Sequence, residues 1–179
     1  MAQALLFLID ALASFFTLLL LARFFMQLNR VSFANQLGTF VVQLTNWAVK
    51  PLRRVIPGIM GWDLATLLPA WWLQCLLLLV VLSLRGIAPE FGQTGEIALL
   101  VLWRGATATL RLAVYLFIGA LLVQAVLSWV NPHSPLAAPV YQFNRPILRP
   151  IQRFLPPIAN IDLSPLVAIL LLQVVLILL

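Results

Sequence analysis

The sequence predicts an all-α membrane protein: four membrane-crossing helices in two parallel repeats, each repeat carrying an amphipathic interfacial helix between its two spans. Three observations carry this prediction. Of the 179 residues, 63% are hydrophobic and 9% are charged, whereas a water-soluble surface needs about 25% charged residues. Four stretches approach the roughly 20 apolar residues with which a helix crosses a bilayer core of about 30 Å. A segment rich in proline and arginine and ending in aspartate occurs twice, at a constant offset of 99 positions.

The first span is expected at Ala4 to Leu28, interrupted by Asp10 and Arg23. The small-residue run Ala11–Ala13 resembles a signal cleavage site. No basic residue precedes it and the longest apolar run follows it, so the segment is read as a retained anchor. Next, Leu37, Phe40, Val41, Leu44, Trp47 and Ala48 recur at helical spacing, opposite Gln36, Thr39, Gln43, Asn46 and Lys50. That pattern predicts an amphipathic helix ending near Pro51. The second span is Leu64 to Leu84, with Pro69 and Gln74 inside it. Residues 96–111 are apolar but broken by Arg104, Gly105 and Arg111; they would lie in the interface or extend the next helix beyond the membrane. The third span is Leu112 to Val130, with Gln124 inside it. After it, Leu136, Val140, Phe143, Ile147, Ile151, Phe154 and Leu155 form a second apolar side, which Pro139, Pro146 and Pro150 are expected to break into short turns. The fourth span, Leu163 to Leu179, would cover roughly 26 Å, at the lower limit for crossing. The apolar sides of both intervening segments suit the headgroup layer or the protein's own spans, and both readings stand.

The repeat pairs Lys50 with Arg149, Pro51 with Pro150, Arg54 with Arg153, Pro57 with Pro156, Asp63 with Asp162, and Gln74 with Gln173. After a two-residue gap the preceding spans also match, Met26 with Leu127 and Leu28 with Trp129. An even number of spans separates the copies, so both have the same orientation. Residues 1–85 are read as the first repeat, 86–95 as a connecting loop and 96–179 as the second repeat. Arg30, Lys50, Arg53, Arg54, Arg145, Arg149 and Arg153 fall on one side. Arg85, Arg104 and Arg111, offset by Glu90 and Glu96, fall on the other. The positive-inside rule then makes the repeated segments cytoplasmic and both termini external.

Each repeated aspartate directly precedes an apolar run, where its carboxylate would cap the helix by accepting from free backbone N–H groups. Pro165, in the first turn, needs no intrahelical donor there. Pro51, Pro57, Pro150 and Pro156 would end the interfacial segments and turn the chain toward the membrane. Arg54 and Arg153, nine residues before each aspartate, could pair with it or with lipid phosphate. Lys50, Arg53, Arg54, Arg145, Arg149 and Arg153 together form a candidate surface for anionic phospholipid or a protein partner. The net charge of +6, in so apolar a chain, points to lipid headgroups before nucleic acid, and no direct nucleic-acid binding is expected. Asp10 is the sharpest candidate for an ion pathway, since a carboxylate inside a span costs up to about 3 kcal/mol. Protonation, snorkelling, or pairing with Arg104 or Arg111 would account for it equally. Gln74, Gln124 and Gln173 suit interhelical hydrogen bonds or a pore lining. Enzyme chemistry finds little support: there is no Ser-His-Asp set, phosphate-cradling glycine loop or metal-ligand cluster. Cys75 and His133 are each the sole residue of their type, so one chain can form neither an intrachain disulfide nor both histidine ligands of a haem, and no cofactor or metal is expected.

Two copies of a Pro-x-x-Arg-x-x-Pro segment followed by Asp-Leu, each between an apolar span and a Gln-bearing span, resemble the YggT (YlmG-like) family, over nearly the whole chain. The second copy matches best, with "LSWVNP" followed by "RPILRPIQRFLPPIANIDLSP". The first departs from it, with "DLAT" for "DLSP" and "MQLNR" where the second has "LSWVN". The resemblance implies a bacterial inner-membrane protein. It also implies association with cell division and chromosome distribution or with osmotic and ion homeostasis, and in plastid members with cytochrome maturation. The expected function is a non-enzymatic scaffold or assembly factor, working with membrane or division proteins. The alternative is an ion or osmolyte transport component acting as a homo-oligomer.

Overall fold

The computed structural model describes residues 2–56, 63–84, 94–131, 133–154 and 162–179, and every regular element among them is an α-helix. These are α1 (Ala2–Leu28), α2 (Gln36–Val55), α3 (Leu64–Leu84), α4 (Thr94–Val130), α5 (Ala137–Phe154) and α6 (Ser164–Leu178). Among the described residues, α1, α3 and α4 are long and apolar enough to cross a membrane. The 15-residue α6 is equally apolar but covers only about 22 Å, so it falls short of that length. Pro57, Pro156 and the connecting loop around Arg85 and Glu90 lie outside the described residues.

The turn from α1 into α2 is built by local hydrogen bonds. Arg30 adopts a left-handed conformation with φ of 54°, its N–H donates to the Gln27 carbonyl, and the Val31 N–H reaches back to Met26. This paired closure satisfies the last carbonyls of a helix and normally has glycine where Arg30 stands. Val31 and Met26 are both buried in one apolar cluster, as this motif's hydrophobic contact requires. Asn35 then caps α2, its side-chain oxygen accepting from the Gly38 N–H at 2.7 Å. A Cβ on Gly38 would come within 2.5 Å of the Phe33 backbone, so only glycine fits this entry.

Proline does not end the two intervening helices as the sequence suggests. Helix α2 continues past Pro51 to Val55, and α5 runs unbroken from Ala137 to Phe154 through Pro139, Pro146 and Pro150. Pro139 lies in the first turn, where its missing N–H has no intrahelical partner to lose. Pro51, Pro146 and Pro150 are all exposed. The carbonyls they leave free, those of Trp47, Gln142 and Pro146, belong to residues that are at least partly exposed and can be satisfied from outside. One side of each helix is buried: Val41, Thr45 and Val49 in α2, and Val140, Phe143, Asn144 and Leu148 in α5. Apolar residues also face outward, with Phe40 and Trp47 exposed on α2 and Phe154 on α5. The apolar side read from the sequence is therefore divided between the protein and its surroundings.

Residues 96–111 form no separate element; they are continuous with the third predicted span in the 37-residue α4. The N-terminal half of α4 packs on α3, where Gly105 lets the helices touch: a Cβ there would meet Cys75 Sγ at 2.3 Å and the Cys75 backbone nitrogen at 3.3 Å. The Cys75 thiol approaches the Val101 carbonyl at 3.6 Å, and Trp71 Nε1 donates to the Leu102 carbonyl at 3.1 Å. Farther along, Phe117 of α4 meets Phe25 of α1 edge to face and lies tilted against Phe143 of α5. Leu121 of α4, Leu148 of α5 and Ala168 of α6 close a fully buried cluster. One long helix thus serves several partners in turn, α3 near its start, α1 along its middle and α5 and α6 toward its end.

Candidate functional site

Two polar clusters lie where an intervening helix meets the ends of the apolar helices. In the first, Arg23 of α1 is buried, and its Nη1 donates to Thr45 Oγ1 at 2.7 Å and Asn46 Oδ1 at 3.2 Å, both on α2. Its Nε has no protein partner among the described residues. Arg53, near the end of α2, donates to Gln27 Oε1 of α1 at 2.9 Å and forms an ion pair with Asp63. The Asp63 side chain is 5% exposed and that of Arg53 45%. Asp63 also attracts the Arg23 guanidinium, whereas Arg53 repels it. The buried Asp63 carboxylate pairs with Arg53, and Arg23 is held by Thr45 and Asn46, so the cluster joins the end of α1, the end of α2 and the start of α3.

The second cluster has the same plan with different side chains. Asn144 of α5 donates to Gln124 Oε1 of α4 at 2.9 Å. Gln152 of α5 donates to Asp162 at 2.9 Å, and the same carboxylate accepts the Ser164 N–H at 2.9 Å. With the offset of 99, Thr45 falls on Asn144, Arg53 on Gln152 and Asp63 on Asp162; with the two-residue gap, Arg23 falls on Gln124. The ion pair of one cluster corresponds in the other to a hydrogen bond from a neutral amide to a carboxylate. Partial burial pushes the Asp162 carboxyl up, but the hydrogen bonds from Ser164 and Gln152 more than offset this and hold it below the usual carboxylate value.

Several residue assignments from the sequence change here. Arg54 and Arg153 do not pair with the aspartates; the residues one position earlier, Arg53 and Gln152, do. One residue is a rotation of about 100° on a helix, which leaves Arg54 and Arg153 exposed. Asp63 does stand immediately before α3, where its backbone carbonyl accepts from Thr66 and Leu67, but its carboxylate is engaged by Arg53. Asp162 lies one residue farther out, since Leu163 occupies the cap position of α6, with Pro165 buried in the first turn. Lys50, Arg54, Arg145, Arg149 and Arg153 are exposed and have no protein partner among the described residues. Arg23, Gln27, Thr45, Asn46 and Asn144 escaped the sequence reading. The signal for them was the coincidence of polar positions inside apolar helices, Arg23 with Gln124, once the gap between the copies is applied.

Gln74 of α3 donates to Thr17 Oγ1 of α1 at 2.9 Å. Gln173 is exposed on α6. Asp10 forms no ion pair within 4.0 Å with Arg104 or Arg111; the Arg53–Asp63 pair is the only one among the described residues. All three charged side chains instead line one cavity of about 860 Å³, together with Gln74, Leu77, Val81 and Trp103. It lies at the end of the helices away from α2 and α5. Leaving a charge unpaired among apolar helices costs roughly 3 kcal/mol at the centre of a span, so three in one cavity is an unusual concentration. A second cleft, of about 420 Å³, is apolar and runs between α1, α2, α4 and α5, past Ala22, Val41, Gly119 and Val140. Among the described residues no group of His, Cys, Asp and Glu side chains is placed to hold a metal ion.

A family model described as CCB3/YggT matches residues 2–84 and 103–179. The chain is 37% identical to the uncharacterized protein PA0392 of Pseudomonas aeruginosa, over 96% of this chain and 86% of that protein. It is 35% identical to the uncharacterized protein YggT of Escherichia coli K12, over 94% of this chain and 85% of that protein. An uncharacterized Vibrio alginolyticus protein from the proC 3′ region is 35% identical over 90% of this chain and 85% of its own length. No solved structure matches.

Proposed function

The chain belongs to the CCB3/YggT family, and on that premise we propose that it is a non-enzymatic inner-membrane scaffold or assembly factor that presents a basic, lipid-bound surface to its partners. The observation that carries this reading is the outward side of α2 and α5. Five basic side chains there, Lys50, Arg54, Arg145, Arg149 and Arg153, are exposed and unpaired among the described residues, beside exposed Phe40, Trp47 and Phe154. Aromatic rings and unpaired cations on one surface match the headgroup layer of an anionic leaflet. At about 1 kcal/mol for each cation near a charged surface, the five contribute at most roughly 5 kcal/mol.

In this reading the chain is two copies of one unit, with α6 as a short fourth span and both basic helices on the cytoplasmic side. The family match in two segments and the corresponding polar clusters support the duplication. A shared side for α2 and α5 is supported by contacts between the α1–α2 turn and α5. There, Asn29 Nδ2 donates to the Phe143 carbonyl at 3.0 Å and Gln142 Nε2 to the Arg30 carbonyl at 2.9 Å. Replacing Lys50, Arg54, Arg145, Arg149 and Arg153 together with Gln should make α2 and α5 sensitive to protease in anionic liposomes while the apolar helices stay inserted. Undiminished protection would mean that protein packing alone holds them.

The alternative, an ion or osmolyte transport component acting as a homo-oligomer in osmotic homeostasis, draws on the cavity lined by Asp10. Under the scaffold reading, liposomes containing the protein or Asp10→Asn conduct no ions. Flux from the parent that Asp10→Asn abolishes would replace the scaffold by the transporter.

A further inference from the structure

We propose that the cavity between α1, α3 and α4 is a binding site for a phospholipid with a primary ammonium headgroup, its phosphate held by Arg104 and Arg111 and its ammonium facing Asp10. Three properties of the cavity converge on this ligand. It collects two guanidiniums and one carboxylate with no ion pair among them, so its side chains offer separated sites for an anion and a cation. The rest of its lining is dominated by apolar side chains, including Leu77, Val81 and Trp103, a surface for acyl chains rather than for a hydrated solute. It is an open groove of about 860 Å³, along which Asp10, Trp103, Arg104 and Arg111 are exposed; that is within the roughly 300–1,000 Å³ of ligand-binding clefts and far exceeds what a bare ion fills.

The charge pattern selects within the phospholipids. Guanidinium groups bind phosphate oxygens in paired hydrogen bonds, so every phospholipid satisfies Arg104 and Arg111. An anionic glycerol headgroup would leave Asp10 facing hydroxyls without a countercharge. A trimethylated choline headgroup brings a positive charge but no N–H to donate. A primary ammonium supplies both. The site lies away from the basic surface of α2 and α5, so the Gln replacements that test that surface leave it unaltered, and lipid retention is read separately from the ion flux of Asp10→Asn.

The experiment is competition for the purified protein in detergent by phosphatidylethanolamine, phosphatidylglycerol and phosphatidylcholine at equal concentration, with bound lipid counted by native mass spectrometry. The unmodified protein is expected to retain phosphatidylethanolamine at least tenfold over phosphatidylcholine and over phosphatidylglycerol. Asp10→Asn should keep phospholipid but lose that preference, and Arg104→Gln with Arg111→Gln should lose retention of all three lipids by at least tenfold. Equal retention of the three lipids by the unmodified protein overturns the proposal without recourse to any variant. So does preference for phosphatidylglycerol, or displacement of the lipid by millimolar inorganic phosphate, which would make this a site for a free anion.

Discussion

Asparagine at position 63 should be far more damaging than asparagine at position 162, although the two aspartates occupy corresponding places in the chain. Asp63→Asn keeps the shape and removes the charge that balances Arg53 and attracts buried Arg23. Breaking a buried ion pair costs about 3–5 kcal/mol, while an exposed pair is worth about 0–1 kcal/mol. Asp63 is 5% exposed and Arg53 45%, so water can take up part of the Arg53 charge but little of the Arg23 charge. The expected loss is about 2 kcal/mol, between those limits. Asp162 faces the neutral Gln152 amide and the Ser164 N–H. Asparagine keeps one oxygen for the Ser164 N–H but presents its amide NH2 to Gln152; that lost bond is exposed, so Asp162→Asn should cost about 0.5 kcal/mol, the low end for a single hydrogen bond. Equilibrium unfolding in mixed micelles of detergent and dodecyl sulfate, followed by helical circular dichroism, measures both. Adding Arg53→Ala to Asp63→Asn should recover on the order of 1 kcal/mol, as coupled neighbours do, and Arg54→Ala alone should be silent. Equal costs at positions 63 and 162, or equal effects of Arg53→Ala and Arg54→Ala, would refute the charge-balance argument.

Other consequences follow from local geometry. Gly105→Leu should force α3 and α4 apart around Cys75 and cost about 1–3 kcal/mol by overpacking; the same unfolding titration reads it, and no effect would deny the close approach. Arg30→Gly relieves a left-handed conformation that costs about 1–2 kcal/mol but adds chain entropy of roughly 0.5–1 kcal/mol, so a stability gain of about 0–1.5 kcal/mol is expected from the same titration. The Asp162 carboxyl is held below its ordinary value, so its contribution is complete above the unfolded carboxyl pKa of about 3.9 and is lost as pH falls through the lower, folded value. Amide exchange at Ser164, corrected for intrinsic rates, should therefore accelerate in that acid range, and Asp162→Asn should flatten the dependence.

The sequence disclosed much of the helical frame because long apolar runs and a 3.6-residue period leave few alternatives. The predicted second span coincides with α3, and the first lies within α1. Residues 96–111 are ambiguous because Arg104 and Arg111 look expelled from a membrane when read singly; the cavity they line also draws Asp10 from the far N-terminus and Leu179 from the far end of the chain, which no local pattern brings together. Pro146 and Pro150 suggest broken turns because the sequence does not show that the residues whose carbonyls they free, Gln142 and Pro146, are at least partly exposed. Of the two partners the sequence leaves open to Arg54, the aspartate or lipid phosphate, the aspartate goes to Arg53 one residue earlier, and one residue on a helix separates a guanidinium that reaches Asp63 from one that does not. Neither choice could be made without knowing how α2 rotates against α1. The cluster around Arg23 was hardest to see, since Thr45 and Asn46 look like ordinary residues of a polar face until α2 docks.

The central claim, that α2 and α5 hold one basic surface in an anionic headgroup layer, is tested most directly by the depth of spin labels at positions 47 and 154 in a Cys75→Ala background. Paramagnetic relaxation by lipid-soluble oxygen and a water-soluble nickel chelate would be compared in nanodiscs of anionic and of neutral lipid. The account predicts that both labels sit at headgroup depth in the anionic discs and move toward water in the neutral ones. Labels whose depth ignores lipid charge, or that stay fully in water in both, would contradict it.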